Sequence, residues 1–182
     1  MRKRPFGYLK TFLTCVLIVC SSRAMQLYAQ AAPAPTPSAP QMEFVFEEIV
    51  MLGAGYHPGA TPWGERNIVP ITGGTFSGPN IKGKILPGGW DWQLASKTGF
   101  NRIQADYMLQ TDDGVIINIV NKGTMGGPGE PGAKPSPVYT SPVFEAPIGR
   151  YSWLNEGAYV GTLEVTNVDG KFAVRIRIYK AR

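Results

Sequence analysis

The sequence contains very few of the residues that build metal sites and nucleophilic catalytic centres. Among 182 residues there are two cysteines and one histidine, His57. Both cysteines, Cys15 and Cys20, lie near the N-terminus, so the rest of the chain has no thiol for a disulfide or for zinc. His57 lies alone in the turn-rich stretch GYHPGATPWG, which favours a solvated loop residue. No metal site and no cofactor is therefore predicted.

The first 31 residues are predicted to be a cleaved secretory signal. Residues 1–10 carry four basic side chains and no acid, and residues 11–20 are an apolar run too short to span a bilayer. Ala29-Gln30-Ala31 then provides a small-x-small cleavage site. Cleavage after Ala31 predicts a periplasmic or secreted protein with no membrane attachment. Lipid attachment at Cys20 is the less favoured alternative, because Val19 is bulky where a lipoprotein box needs a small residue.

Residues 32–41 are rich in alanine and proline, and they are predicted to form an extended linker before a single domain at 42–182. Beyond the signal the chain has no excess of positive charge. Five of the 18 basic residues and none of the 13 acidic residues lie in residues 1–31, so 13 of each sign remain. This balance predicts neither a nucleic-acid partner nor a membrane-surface partner.

Helical periodicity is also missing, whereas short alternating segments recur. RIQADYMLQ (102–110) places Ile103, Ala105, Tyr107 and Leu109 on one face, and TDDG connects it to VIINIVN (115–121) as a hairpin. About eight to ten such segments predict an all-β fold, and closure into a single antiparallel β-barrel would protect its edges. A barrel of this size can hold one small ligand inside.

Two segments point beyond the barrel itself. VIINIV is apolar on both faces, which predicts that a loop or a second subunit covers its outward side, and hence a possible homo-oligomer. GTMGGPGEPGAKPSPVYTSP (123–142) is long and rich in glycine and proline. Loops of this length are lids, binding loops or surface excursions, and the sequence leaves a lid, a partner contact and an excursion open.

The stretch ILPGGWDWQ (85–93) contains the principal candidate site. On a strand Asp91 and Gln93 share one face, and Trp90 and Trp92 point the other way. If Asp91 faces the barrel interior, desolvation would raise its pKa and suit it to proton transfer. Arg66 is a second possible neighbour, which would instead hold Asp91 charged, to bind a ligand or to stabilise the core.

Further candidates come from the same strand reasoning. Asp106 is a second acid candidate on the polar face of its strand, opposite Tyr107. Tyr139, at the end of the long loop, is predicted to help close a ligand pocket, as are Trp153 and Asn155, which would share a strand face. A buried Asp–Arg pair with amide hydrogen bonds can also be purely structural, so that alternative stays open.

Several blocks between about Phe44 and Tyr179 form a recognisable pattern. The blocks are RNIVPITGGTFSGPNIKGKILPGGWDWQ, DYMLQTDDG, Tyr139-Thr140, Pro142, Phe144-Glu145, Tyr151, Trp153-Leu154-Asn155 and Val160-Gly161. In these blocks the chain resembles the domain of unknown function (DUF) family 3237. The resemblance implies a compact antiparallel β-barrel and brings no assigned reaction.

Three functions are compatible with these features. The first is an exported β-barrel that binds a small cyclic or aromatic molecule in its interior. The second is a cofactor-free isomerase, cyclase or lyase in which Asp91 or Asp106 is the general acid–base. The third is a structural or oligomeric interaction module with a filled core.

Overall fold

The protein is described by a computed structural model covering residues 37–126 and 137–182. Within these residues there are ten β-strands and one short 3-10 helix at Ser152–Asn155. The strands are β1 (Met42–Leu52), β2 (Tyr56–Thr61), β3 (Gly64–Ser77), β4 (Lys82–Ile85), β5 (Gly89–Ala95), β6 (Phe100–Thr111), β7 (Ile116–Gly126), β8 (Val138–Glu145), β9 (Tyr159–Val168) and β10 (Lys171–Ala181).

The strands close into an antiparallel barrel with eight strand positions. The order runs β1, β10, β9, β8, β7, β6, and then through β4 and β5 to β3, which pairs with β1 to complete the circle. β4 and β5 share one position because both lie between β3 and β6. β2 extends the sheet along the first half of β3. The predicted all-β antiparallel barrel is confirmed.

The LPGG sequence interrupts the strand position shared by β4 and β5. Ile85 pairs with Gly74 and Gly89 with Ile71, so four residue steps on this strand face three on β3 and the extra residue forms a bulge. Pro87, which has no N–H to donate, lies inside the bulge. Gly89 cannot carry a side chain, since a Cβ there would lie 2.5 Å from the Cβ of Tyr107. The bulge directly precedes Asp91.

Aromatic side chains fill one end of the barrel. Phe46 packs against Phe76 and Phe144 with ring centroids 5.5 and 5.9 Å apart, and Phe144 contacts Tyr159 at 5.0 Å. The buried Leu154 of the 3-10 helix belongs to the same core, at the end where β8 stops and β9 begins. The β5–β6 and β9–β10 connections, the end of β7 and the start of β8 all lie at the other end, where the core is less completely filled.

One irregularity lies in β1. The β1–β10 register shifts between Phe44 and Phe46, which leaves Phe44 41% exposed and Phe46 fully buried.

Some sequence predictions need correction or lie outside the described residues. On the outward side of β7, Ile116 is 40% exposed, so no described part of the chain covers it completely. The predicted signal, the first half of the linker (32–36), and residues 127–136 of the possible lid lie outside the described residues.

Candidate functional site

A cavity of about 300 Å³ lies inside the barrel, towards the end opposite the aromatic core. Its wall is mostly aliphatic, with side chains such as Val50, Ile71 and Leu163, and includes Tyr107. The remaining polar lining side chains are Asn67, Asp91, Gln93, Asn121 and Thr140. An apolar cavity with a few convergent polar groups is the usual form of a small-molecule site.

Asp91 belongs to a chain of hydrogen bonds on one wall of the cavity. Gln93 donates from Nε2 to Asp91 Oδ2 over 2.7 Å, and Asn67 donates from Nδ2 to Gln93 Oε1 over 2.8 Å. The other carboxylate oxygen, Asp91 Oδ1, is buried and accepts no hydrogen bond from any of the described residues. Gln93 therefore fixes one oxygen of Asp91, and the second has no partner among the described residues.

Burial raises the pKa of Asp91 above its ordinary value. The hydrogen bond from Gln93 opposes this shift, because it stabilises the charged carboxylate. The nearby backbone N–H of Gln104 acts in the same direction as Gln93, but it lacks the geometry of a hydrogen bond to Oδ1, which has no partner among the described residues. The protonated form of Asp91 thus persists to higher pH than that of an exposed aspartate.

A second polar wall lies on β7 and β8. The side chains of Asn121 and Thr140 are both 3% exposed. Neither Asn121 Oδ1 nor Thr140 Oγ1 has a hydrogen-bond partner among the described residues. Asp91 pairs with Ala105 across β5 and β6, and Ala105 pairs with Asn121 across β6 and β7. The small Ala105 therefore separates the two polar walls.

A buried acid, Glu48, lies deeper in the barrel. Tyr107 donates its hydroxyl to Glu48 Oε2 over 2.7 Å, and both side chains are almost completely buried. Burial raises the pKa of Glu48 to about 7, although the hydrogen bond from Tyr107 lowers it. Burial, with the nearby Glu48 carboxyl, raises the pKa of Tyr107 well above its usual value. Tyr107 connects this pair to the cavity because it is also one of the lining residues.

The structure places the predicted acids and the arginine on two sides of the barrel wall. Asp91 and Gln93 line the cavity. Arg66 does not meet Asp91: it follows the opposite alternation on β3 from Asn67 and lines a groove on the outer surface beside Trp92. Asp106 is also on the outer surface, where it accepts a hydrogen bond from Asn118 over 2.8 Å.

The other predicted ligand residues also lie away from the cavity. Tyr139 is 58% exposed, whereas its neighbour Thr140 points inward. Trp153 and Asn155 are not on a strand as predicted but in the 3-10 helix, so they share no strand face. Asn155 holds the chain after β8, accepting from the Ala146 N–H over 2.7 Å and donating to the Ala146 carbonyl over 2.9 Å. Trp153 packs beside Lys180 instead.

Sequence reasoning missed three polar residues of the interior. Asn67 shares the alternation of Val69 and Ile71, which are buried on β3. Asn121 follows Ile117 and Ile119 in the same way on β7. Glu48 lies between the buried Phe46 and Val50. On each of the three strands the buried apolar residues define the inward face. Each polar residue could have been found because it continues an apolar series with a period of two.

Two further features bear on chemistry. In residues 37–126 and 137–182, no three His, Cys, Asp or Glu side chains are grouped in a way that could hold a metal ion. In the same ranges, no helix has the length and apolar character needed to cross a membrane. The polar residues that line the cavity carry carboxyl, amide and hydroxyl groups.

The barrel and the blocks around Asp91 match a family model described as "Protein of unknown function (DUF3237)", which covers residues 40–181. The chain belongs to this family. It is 32% identical over 133 residues to a "UPF0311 protein" of Rhodopseudomonas palustris, covering 67% of this chain and 86% of that protein. A crystal structure of a "beta-barrel like protein" from Acinetobacter baumannii matches with a TM-score of 0.68 and 33% identity, covering 82% of this chain and all of the other.

One relative is named for a reaction. The "hydroalkoxylation enzyme phnH" of Penicillium herquei is 27% identical over 139 residues, covering 76% of this chain and 85% of that protein. A crystal structure of an enzyme from Penicillium herquei matches with a TM-score of 0.58 and 26% identity, covering 80% of this chain and 98% of the other. The family fold therefore includes a protein that is described as an enzyme.

Proposed function

We propose that the barrel interior binds a small, largely apolar cyclic or aromatic molecule, and that Asp91 acts on it as a general acid–base without a cofactor. The observation that carries the proposal is the buried Asp91 Oδ1, which has no partner among the described residues and lies in an otherwise mostly aliphatic cavity of about 300 Å³. Gln93 holds the other oxygen and so orients the carboxyl group. An acid with a raised pKa is suited to proton transfer near neutral pH.

The name of the Penicillium relative suggests the reaction class: addition of a hydroxyl group across a carbon–carbon double bond. In this scheme the Asp91 carboxyl gives its proton to one alkene carbon, and the hydroxyl oxygen bonds to the other. The hydroxyl proton then passes to the Asp91 carboxylate, which regenerates the acid. No electron carrier is needed, since the C=C and O–H bonds are replaced by C–H and C–O bonds.

Turnover of unsaturated alcohols and phenols that fit the cavity tests this proposal. Purified protein is incubated with such a panel, and ether formation is followed by chromatography with mass detection. We expect product formation to fall at least about a hundredfold in Asp91→Asn, the size of effect typical of a lost general acid–base. An Asp106→Asn control should keep the activity, because Asp106 lies on the outer surface. Equal product with Asp91→Asn and wild type would refute the acid–base role.

The binding function alone is the second candidate, supported by the mainly apolar wall of the cavity. This candidate predicts that wild-type protein binds members of the panel but converts none of them into product. A purely structural module is the third, and it predicts that no small molecule is retained. Native mass spectrometry of protein soaked in cell extract separates these two outcomes and also reports whether the chain is a homo-oligomer.

We further propose that the protein is exported and that residues 1–31 are removed. The support is the basic, apolar and small-residue order of this segment. Intact-mass analysis of protein recovered from periplasm and culture medium tests it. A protein found only in the cytoplasm with Met1 at its N-terminus would contradict export.

A further inference from the structure

The polar groups that face the cavity have one chemical character in common: the atoms left without a protein partner are oxygens. Asp91 Oδ1 is on one wall and Asn121 Oδ1 on the other, and neither has a partner among the described residues. Asn67 Oδ1 and Thr140 Oγ1 also have no partner among these residues, but they lie against Gly55 and Gly161, which do not line the cavity. An amide oxygen and an ionised carboxylate only accept hydrogen bonds, whereas a protonated carboxyl also donates one. A ligand that satisfies Asn121 Oδ1 and the ionised form of Asp91 therefore presents two donors.

The spacing of the two walls follows from the strand register. Asp91 and Asn121 are paired with the same residue, Ala105, from its two sides. Neighbouring strands lie about 4.8 Å apart, so the Cα atoms of Asp91 and Asn121 are separated by about 10 Å across β6. Both side chains point into the barrel, and the methyl group of Ala105 leaves the space between them open.

Thr140 fits on the second wall because both of its cross-strand neighbours are glycines. It pairs with Gly123 of β7 on one side and Gly161 of β9 on the other. A Cβ added to Gly161 would overlap the Thr140 hydroxyl at 2.2 Å, and one added to Gly123 would come within 2.9 Å of its methyl group. The two glycines thus allow a polar residue to occupy a crowded and deeply buried position.

A buried acceptor without a partner costs stability. Two such atoms on the two polar walls of one cavity are more readily explained by recognition of a ligand than by packing. We propose that the molecule bound in the barrel is a ring with hydroxyl groups at two edges, one donating to Asp91 and one donating to Asn121 across Ala105. This inference rests on the ligand binding proposed above and adds the substrate class and a second binding residue, Asn121.

The proposal is tested with three probes of almost equal shape: a naphthalenediol with one hydroxyl on each ring, its monomethyl ether and its dimethyl ether. Binding to the full protein is measured by titration calorimetry. We expect each methylation to weaken binding about three- to tenfold, the value of one hydrogen bond to a buried acceptor. A dimethyl ether that binds as tightly as the diol, or a failure of all three probes to bind, would overturn the proposal.

Variants then assign the second hydroxyl to its wall. Asn121→Leu should weaken binding of the diol about three- to tenfold and leave the dimethyl ether unaffected. Asn118→Leu, the same change on the outward face of the same strand, is the matched control. Asn121→Asp keeps an acceptor and should retain more of the preference for the diol than Asn121→Leu does. An unchanged diol preference in Asn121→Leu contradicts the role of Asn121.

The result is separable from the acid–base proposal. Turnover of unsaturated alcohols that depends on Asp91, together with equal binding of all three probes, would support the enzyme and reject the two-donor ligand. The expected order of probe affinities without any turnover would support the two-donor ligand and leave a binding protein.

Discussion

At the scale of single residues, two carboxyl groups inside the same barrel have different surroundings. Glu48 is completely buried, and Tyr107 donates a hydrogen bond to one of its oxygens. Asp91 is in the cavity wall, which Glu48 does not line. Burial raises the pKa of both groups. Both shifts therefore affect folding stability, and that of Asp91 also bears on the proton transfer proposed above.

Glu48 makes the stability of the protein depend on pH. Its pKa is about 7 in the folded protein and about 4.3 in an unfolded chain. Below both values the carboxyl is protonated in both states, and its neutral form adds no cost. As the pH rises from about 4.3 to 7, only the unfolded state loses the proton, so folding is progressively destabilised. The total loss is about 4 kcal/mol, since each pKa unit corresponds to about 1.4 kcal/mol.

Replacing Glu48 with glutamine should remove most of this dependence, because the amide stays neutral and still accepts from Tyr107. The measurement is urea unfolding at pH 5 and pH 8. Wild-type protein should lose free energy of unfolding between these values, and Glu48→Gln should lose less by about 2 kcal/mol. Glu47→Gln, on the outward face of β1, is the control and should keep the wild-type dependence. Equal pH dependence in wild type and Glu48→Gln would contradict the raised pKa.

At the scale of strands, the sequence predicted orientation well wherever a strand is regular. The alternation in GWDWQ correctly predicted that Asp91 and Gln93 share a face opposite Trp90 and Trp92. The same rule applied to β3 would have excluded Arg66, because Val69 and Ile71 define the inward parity. It did not apply to Trp153, since a 3-10 helix has a period of three and no long alternating segment precedes it.

The bulge between β4 and β5 depends on glycine at position 89. A Cβ there would lie 2.5 Å from Tyr107 Cβ and 2.8 Å from the Asp106 carbonyl oxygen, so β5 and β6 would have to separate. We expect Gly89→Ala to lower the free energy of unfolding by about 1–3 kcal/mol, the usual cost of overpacking. Because Asp91 follows two residues later, probe binding should weaken as well. Chemical unfolding and calorimetry measure the two effects.

The matched control is Gly114→Ala in the β6–β7 turn, where no atom lies within 4 Å of the added Cβ. Gly114 has a φ of 88°, so its substitution introduces backbone strain but no overlap with another strand. It should leave probe binding unchanged, because the turn lies at the end of the barrel away from the cavity. A loss of probe binding as large as in Gly89→Ala would contradict the local explanation.

At the scale of the whole molecule, the barrel is divided between a filled end and a cavity. The aromatic core and the 3-10 helix occupy one end and stabilise the fold. The number of strands and their closure followed from the sequence because short alternating segments with many turns leave few other folds. The division into a filled end and a cavity could not be predicted from the sequence. It depends on the volumes of side chains that meet across the barrel, such as the small Ala105 and the longer residues around it.

A cavity lined by oxygens without partners implies a trade of stability for binding, and Asn121 allows this to be measured. Leucine has the same branched shape as asparagine, is somewhat larger, and carries no polar atom to desolvate. We therefore expect Asn121→Leu, without ligand, to raise the free energy of unfolding by about 1–3 kcal/mol while weakening binding of the naphthalenediol. Thermal and urea unfolding measure the first effect. Were the interior amides structural pins that hold the barrel closed, the same substitution would lower the stability instead.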